Sequence, residues 1–139
     1  METQQYSAIH PYLMFNGNAR EAMTFYQEIF GGELQFTNFS AAGGEVHEEF
    51  KDKVMHASLQ NGHLVLMAGD AMMGEVAHGS TVQLSVNCSS MAEIEKSFAA
   101  IAIGGSVTMP LNDQFEGNRF GMVTDKFGFD WLFNYKHSA

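Results

Sequence analysis

The stretch Asp113-Gln-Phe-Glu-Gly-Asn-Arg-Phe-Gly-Met-Val-Thr-Asp-Lys-Phe-Gly-Phe-Asp-Trp-Leu-Phe-Asn-Tyr135 decides the fold. Two strand-like runs in it flank a turn. Arg119 to Thr124 is the first run. Asp125-Lys126-Phe127-Gly128 is the turn, with Gly128 free to take positive φ. Phe129 to Tyr135 is the second run, and it alternates. Phe129, Trp131, Phe133 and Tyr135 are aromatic, and Asp130, Leu132 and Asn134 lie between them. A period of two sends the aromatics to one sheet face and the other three to the opposite face. The rest of the chain is then read as a core for the aromatic face and a pocket wall for the other.

Upstream of this hairpin, Pro110 to Asn118 reads as a loop and Ser106 to Met109 as a strand. Gly104-Gly105 stops a helix that Ser89 or Ser90 caps and that runs to about Ala102, with Ile94, Phe98 and Ile101 inward. Thr81 to Asn87 is a strand before it. The first half shows the same order. Ser7 to Phe15 reads as a strand, and Pro11 puts it at an edge. Asn16-Gly17-Asn18 is a turn with Asn18 as N-cap. Ala19 to Phe30 is a helix with Ala22, Phe25, Tyr26 and Ile29 on one side, ended by Gly31-Gly32. Strands follow at Glu33 to Phe39, Val54 to Gln60 and His63 to Ala68, the last two joined by an Asn61-Gly62 hairpin turn. Ser40 to Lys53 is a polar excursion holding Glu45, His47, Glu48 and Glu49.

The halves form a weak internal repeat. Gly31 lies six positions after Phe25, and Gly104 six positions after Phe98. Gly62-His63-Leu64-Val65-Leu66-Met67 falls beside Gly128-Phe129-Asp130-Trp131-Leu132-Phe133. One βαβββ unit covers a single sheet face with its helix and leaves the other open. Two such units can curl their open faces around a cavity. The expected fold is therefore α+β, two βαβββ modules forming a curved mixed sheet. Module one spans about 7–69, a linker 70–79 and module two about 80–135, within a single domain 1–139.

Strand phase assigns the open faces. Val82, Leu84 and Val86 go under the second helix, leaving Thr81, Gln83 and Ser85 open. The same logic opens His10, Tyr12 and Met14 in the first strand, and His56, Ser58 and Gln60 in the third. It opens Leu64, Leu66 and Ala68 in the fourth, and Asp130, Leu132 and Asn134 in the last. Tyr12, Met14, Leu66, Phe120 and Leu132 make this set too apolar for a merely solvated face. A mixed polar–apolar ligand wall fits better. The candidate ligand-binding residues are His10, Tyr12, Met14, His56, Ser58, Leu66, Gln83, Phe120, Met122 and Leu132.

Composition narrows the partners. Lys and Arg number 7 against 16 Asp and Glu, a net charge of −9. That balance argues against nucleic acid or an anionic membrane, which both need a basic patch. Cys88 is the single cysteine and has no partner in the chain for a disulfide, which fits a reducing compartment. No segment reaches the ~18 apolar residues of a membrane span. The N-terminus has no basic leader. A cytoplasmic protein is expected. Ten methionines supply adaptable filler for cores and ligand sites. Cys88 precedes a helix start, where a thiolate is favoured, but no His or Asn partner marks it as a nucleophile. Asp113, Glu116 and Arg119 form a polar group near the hairpin, read as a solvated loop with Arg119 paired to Asp113 or Asp125.

Several phrases resemble the vicinal oxygen chelate superfamily of glyoxalase I, bleomycin-resistance proteins and extradiol dioxygenases, and most of all its PhnB-like branch. They are Pro11-Tyr12-Leu13-Met14-Phe15-Asn16-Gly17-Asn18, Phe25-Tyr26-Gln27-Glu28-Ile29-Phe30-Gly31-Gly32, Lys51-Asp52-Lys53-Val54-Met55-His56-Ala57, and Asp113-Gln114-Phe115 through Arg119-Phe120-Gly121-Met122-Val123-Thr124-Asp125 to Gly128. The branch often carries a 3-demethylubiquinone methyltransferase label. No Gly-rich strand–helix turn for a nucleotide-like cofactor supports that label here. Metal-using members carry ligands that the resemblance places at His10, Leu66, Thr81 and Leu132. Only His10 is a ligand type, and Zn²⁺ needs three or four N, S or O donors. The resemblance thus implies a small-molecule binder with no cofactor. A metal-dependent glyoxalase- or dioxygenase-like enzyme, with a divalent ion on His10, His56 and an acid from 45–49, is the alternative. An interaction protein without a ligand is a third class. A homodimer is also implied.

Overall fold

The structure, a computed structural model, describes residues 8–39, 51–72, 74–114 and 117–137. The chain divides into two compact units, one ending at Val76 and the other starting at Ala77. The first contains β1 (Tyr12–Phe15), α1 (Ala19–Phe30), β2 (Glu33–Asn38), β3 (Val54–Asn61) and β4 (Leu64–Asp70). Its sheet has the order β1-β4-β3-β2, with β1 parallel to β4 and the other pairs antiparallel. The second contains β5 (Leu84–Cys88), α2 (Met91–Ala102), β6 (Ser106–Gln114), β7 (Asn118–Thr124) and β8 (Asp130–Lys136). Its order, β5-β8-β7-β6, repeats the first. The expected fold class holds: two βαβββ modules, each with its own four-stranded mixed sheet.

In the first unit, Ala19, Ala22, Met23 and Tyr26 bury one side of α1 against Leu13, Phe15, Ala57, Leu59, Leu66 and Ala68. The helix start is held from a distance. Asn18 makes no side-chain cap bond. Instead the buried Asp70, last residue of β4, accepts the Gly17 and Ala19 amides on Oδ1 at 3.1 and 3.0 Å. Its Oδ2 accepts the Val54 amide at 2.9 Å. One carboxylate thus ties the βα turn to the start of β3.

In the second unit, Ser90 caps α2 by accepting from the Glu93 amide, and Glu93 Oε2 accepts back from the Ser89 amide and hydroxyl. Ile94, Phe98 and Ile101 are buried, as expected, with Trp131 and Phe133 beneath them. Gly121 faces the helix. A Cβ there would lie 2.8 Å from the Phe98 ring and 2.9 Å from Leu111, so the missing side chain lets Phe98 meet Phe133 edge-on. The buried Asp125 organises the hairpin turn. Its Oδ1 accepts the Phe127 and Phe129 amides and its Oδ2 the Trp131 indole N–H.

Most strand ends fall within two residues of the sequence reading, and four differences are larger or carry more consequence. β1 starts at Tyr12 rather than Ser7, because Pro11 has no N–H and only its carbonyl joins β4. β5 covers Leu84–Cys88 rather than Thr81–Asn87, because its partner strand β8 first pairs at Trp131. β6 runs on through Pro110 to Gln114, where a loop was expected. Register shifts on either side of Met109 accommodate the proline. The fourth difference has the most effect. Asn61 pairs with Leu64, so the hairpin turn is Gly62-His63 rather than Asn61-Gly62. Asn61 stays in the strand with its side-chain amide donating to the Phe30 carbonyl at 2.7 Å. Gly62 takes the left-handed conformation, φ 61°. A one-residue slip flips every side chain of a strand. Leu66 pairs with Leu59 and Ala68 with Ala57, all four on the helix-covered face. The open face of β4 instead carries Val65, Met67 and Gly69.

Candidate functional site

Each unit has a sheet face that its own helix does not cover, and the candidate residues divide between these faces. On the first sheet, the register sets two cross-strand rows. One runs Gln35, Ser58, Met67 and Tyr12. The other holds Thr37 and His56, with Gly69 beside Met14 beyond them. Tyr12 and Met14 are 43 % and 38 % exposed, whereas their neighbours Leu13 and Phe15 are buried. His56, Ser58 and Met67 are half-buried.

Tyr12 crosses the sheet. Its hydroxyl donates to the Met55 carbonyl at 3.3 Å, and its ring lies 5.7 Å from that of His56, tilted by 36°. The path runs over Gly69, where a Cβ would stand 2.7 Å from the Tyr12 oxygen and 2.9 Å from the Met55 carbonyl. Glycine at that position makes the crossing sterically possible. Partial burial holds the Tyr12 phenol above its ordinary range, so it stays protonated and donates.

On the second sheet, Met122 pairs with Leu132 and with Met109, and Phe120 pairs with Asn134 and Asn112. Ser85 and Asn87 of β5 stand beside Leu132 and Asn134. Thr124 donates to Asp130 at 2.6 Å at one end of this face. Phe120, Met122, Leu132 and Asn134 are half-buried. The alternation of β8 places its aromatics and its other residues as the sequence suggested.

Of the ten candidates, Tyr12, Met14, His56 and Ser58 share the open face of the first sheet, and Phe120, Met122 and Leu132 that of the second. Leu66 does not join them; it lies under α1. His10 is exposed and precedes β1, and Gln83 is exposed and precedes β5. Sequence reasoning missed Met67 and Gly69. The signal was the turn: placing Gly62-His63 at the hairpin corner brings both to the open face.

The metal positions fare no better in three dimensions. His10 and Thr81 stand outside their strands, Leu66 is on the covered face, and its open-face neighbour is Met67. Among the described residues no group of three His, Cys, Asp or Glu side chains converges to hold an ion. Glu45, His47, Glu48 and Glu49, like Glu116, lie outside the described residues. The donor set at the family positions does not fit a divalent metal, which needs three or four N, S or O ligands.

Nor do the strand–helix turns suit a phosphate-bearing cofactor. At the first, Gly17 and Ala19 already give their amides to the Asp70 carboxylate. At the second, Glu93 occupies the Ser89 amide. Cys88, expected to favour a thiolate, is buried. That burial pushes its thiol up; Ser97 opposes the rise through a hydrogen bond, and the Glu93 charge adds to it. Arg119 pairs with Glu95 at 2.8 Å and with Asp113 at 3.5 Å, tying β7 to α2 and β6. Pairing with Asp113 matches the sequence reading, and Glu95 is an addition.

The family described as 3-demethylubiquinone-9 3-methyltransferase matches residues 7–133. The chain belongs to this family. It is the PhnB-like branch of the vicinal oxygen chelate superfamily. Protein PA1353 from Pseudomonas aeruginosa is similar at 41 % identity and TM-score 0.84, with 94 % of this chain and 98 % of that one covered. A PhnB protein from Bacillus cereus is similar at 28 % identity and TM-score 0.73, covering 91 % and 98 %. A glyoxalase/bleomycin resistance protein/dioxygenase family enzyme from Burkholderia phytofirmans PsJN shares the fold, with 15 % identity, TM-score 0.60 and coverage of 91 % and 97 %. Among the described residues, the family's metal positions lack a full donor set, and amides at both helix starts are already taken by carboxylates.

Proposed function

We propose that this PhnB-like protein binds a mid-sized, partly aromatic small molecule on the open face of either sheet, without the usual metal centre of its superfamily. The observation that carries the reading is the make-up of those faces. Tyr12, Met14 and Met67 on one sheet, and Phe120, Met122 and Leu132 on the other, present apolar, adaptable surface around a few polar groups. Ligand sites are lined in this way, and methionine repacks around differently shaped ligands. The loss of donors at the metal positions points the same way, because Leu and Thr cannot replace Glu and His.

Native mass spectrometry of chelator-treated protein against a panel of two- and three-ring aromatic compounds tests this. The expected result is a saturable complex that forms equally well before and after chelation. A complex, or an activity, that needs a stoichiometric divalent ion would favour the metal-dependent enzyme instead.

A further inference from the structure

We infer that His56 is the polar anchor of the first sheet's open face, accepting a hydrogen bond from a hydroxyl on the ligand's aromatic body, so that the ligand class is a phenol or an enol. The inference rests on the binding reading above and adds the ligand's chemistry.

The Tyr12 hydroxyl proton is spent on the Met55 carbonyl, and the Tyr12 ring fills the gap over Gly69 beside the imidazole. The His56 ring itself makes no hydrogen bond with any described residue. Ser58, two residues along on the same face, makes none either. Buried polar groups are ordinarily paired, with protein or with water, and a ligand that displaces water must take over its bonds. Among the described residues neither His56 nor Ser58 has a hydrogen-bond partner, and both stand beside Tyr12, Met14 and Met67. No carboxylate faces His56 in its own row or the next among the described residues. β1 offers Tyr12 and Met14, β2 offers Gln35 and Thr37, and β4 offers Met67 and Gly69.

A neutral imidazole has one nitrogen that accepts. A phenolic or enolic O–H is the strongest neutral donor an organic ligand brings to it, and a partly apolar surround strengthens the bond. Net charge of −9 works against a carboxylate ligand in that place. The aromatic body then lies against the tyrosine ring and the two methionines.

The test uses the full chain and a matched pair of probes, 2-naphthol and its methyl ether 2-methoxynaphthalene, which lacks only the donated proton. Calorimetry should give affinity about tenfold higher for the naphthol, the worth of one hydrogen bond. That preference should vanish in His56→Ala. In the wild-type protein, naphthol should move the side-chain ¹⁵N signals of His56 more than those of the other histidines, a readout that stands even if the variant folds poorly. Equal affinity for both probes, or unmoved His56 nitrogens while naphthol still binds, overturns this inference and leaves the binding reading intact. Failure of both probes to bind overturns the two together.

Discussion

Asp70 is the residue on which most of the first unit's local geometry turns. Its carboxylate accepts three backbone amides from two segments, Gly17 and Ala19 ahead of α1 and Val54 at the start of β3. A buried donor left without its partner costs about 1–3 kcal/mol. Asp70→Ala orphans three, so we expect a loss of about 3 kcal/mol or more, read as a lower urea midpoint. A midpoint within error of wild type would mean that water replaces the carboxylate there. Cys88 gives a pH-dependent counterpart in the second unit. Burial raises its thiol above the ordinary value, so the folded chain holds that proton more tightly than the unfolded chain does. Its contribution to stability is full below the ordinary thiol value and is lost as pH rises through it towards the folded value. Between about pH 8 and pH 10 the wild-type urea midpoint should therefore fall more than that of Cys88→Ser. Parallel declines would show that the thiol has no part in the alkaline loss.

At the scale of elements, β4 decides which residues face a ligand. Its open face carries Met67 and Gly69, and Gly69 is where the Tyr12 ring crosses. A methyl group there would meet the Tyr12 oxygen at 2.7 Å and the Met55 carbonyl at 2.9 Å. Gly69→Ala should displace the tyrosine from His56 and cost about 1–3 kcal/mol of overpacking. Loss of the Tyr12–His56 nuclear Overhauser contacts checks the displacement; their persistence would place the tyrosine's anchor elsewhere. The same strand shows where sequence reading stops. The helices were legible because their apolar spacing and flanking glycines agree, and Ile94, Phe98 and Ile101 are buried as that spacing requires. The β8 phase was legible because four aromatics alternate in it. β4 was not, because Leu64-Val65-Leu66-Met67-Ala68 is apolar at every position and carries no phase of its own. Its phase comes from the turn, and Asn61-Gly62 and Gly62-His63 both look acceptable until Asn61 is seen holding the end of α1. Pro110 misled in the opposite way: a proline reads as a strand end, yet β6 passes it with register shifts. The boundary of β5 depended on where its partner strand begins, which no local pattern encodes, and that of β1 on Pro11, which has no N–H to give the ladder.

For the whole molecule, each of the two units carries its own buried core and its own helix-free sheet face. The internal repeat persists in the structure with its last strand moved by one residue from the sequence alignment. Met67 corresponds to Leu132 once the hairpin turn is corrected, each following a buried residue and preceding another, Leu66 and Ala68 in one unit and Trp131 and Phe133 in the other. Both positions are apolar, where metal-using relatives are expected to carry an acid. Among the described residues, no helix is long and apolar enough to cross a membrane. The central claim is that the helix-free faces take an aromatic ligand directly through side chains. Methionines probe it from within, since Met14, Met67 and Met122 lie on those faces and Met23 is buried on the sheet-facing side of α1. The most direct measurement is methyl NMR of protein labelled at methionine, titrated with 2-naphthol after exhaustive chelation. The account predicts saturable shifts of Met14, Met67 and Met122 with Met23 unmoved. Shifts that appear only when a divalent ion is restored, or that spare all three open-face methionines, would contradict it.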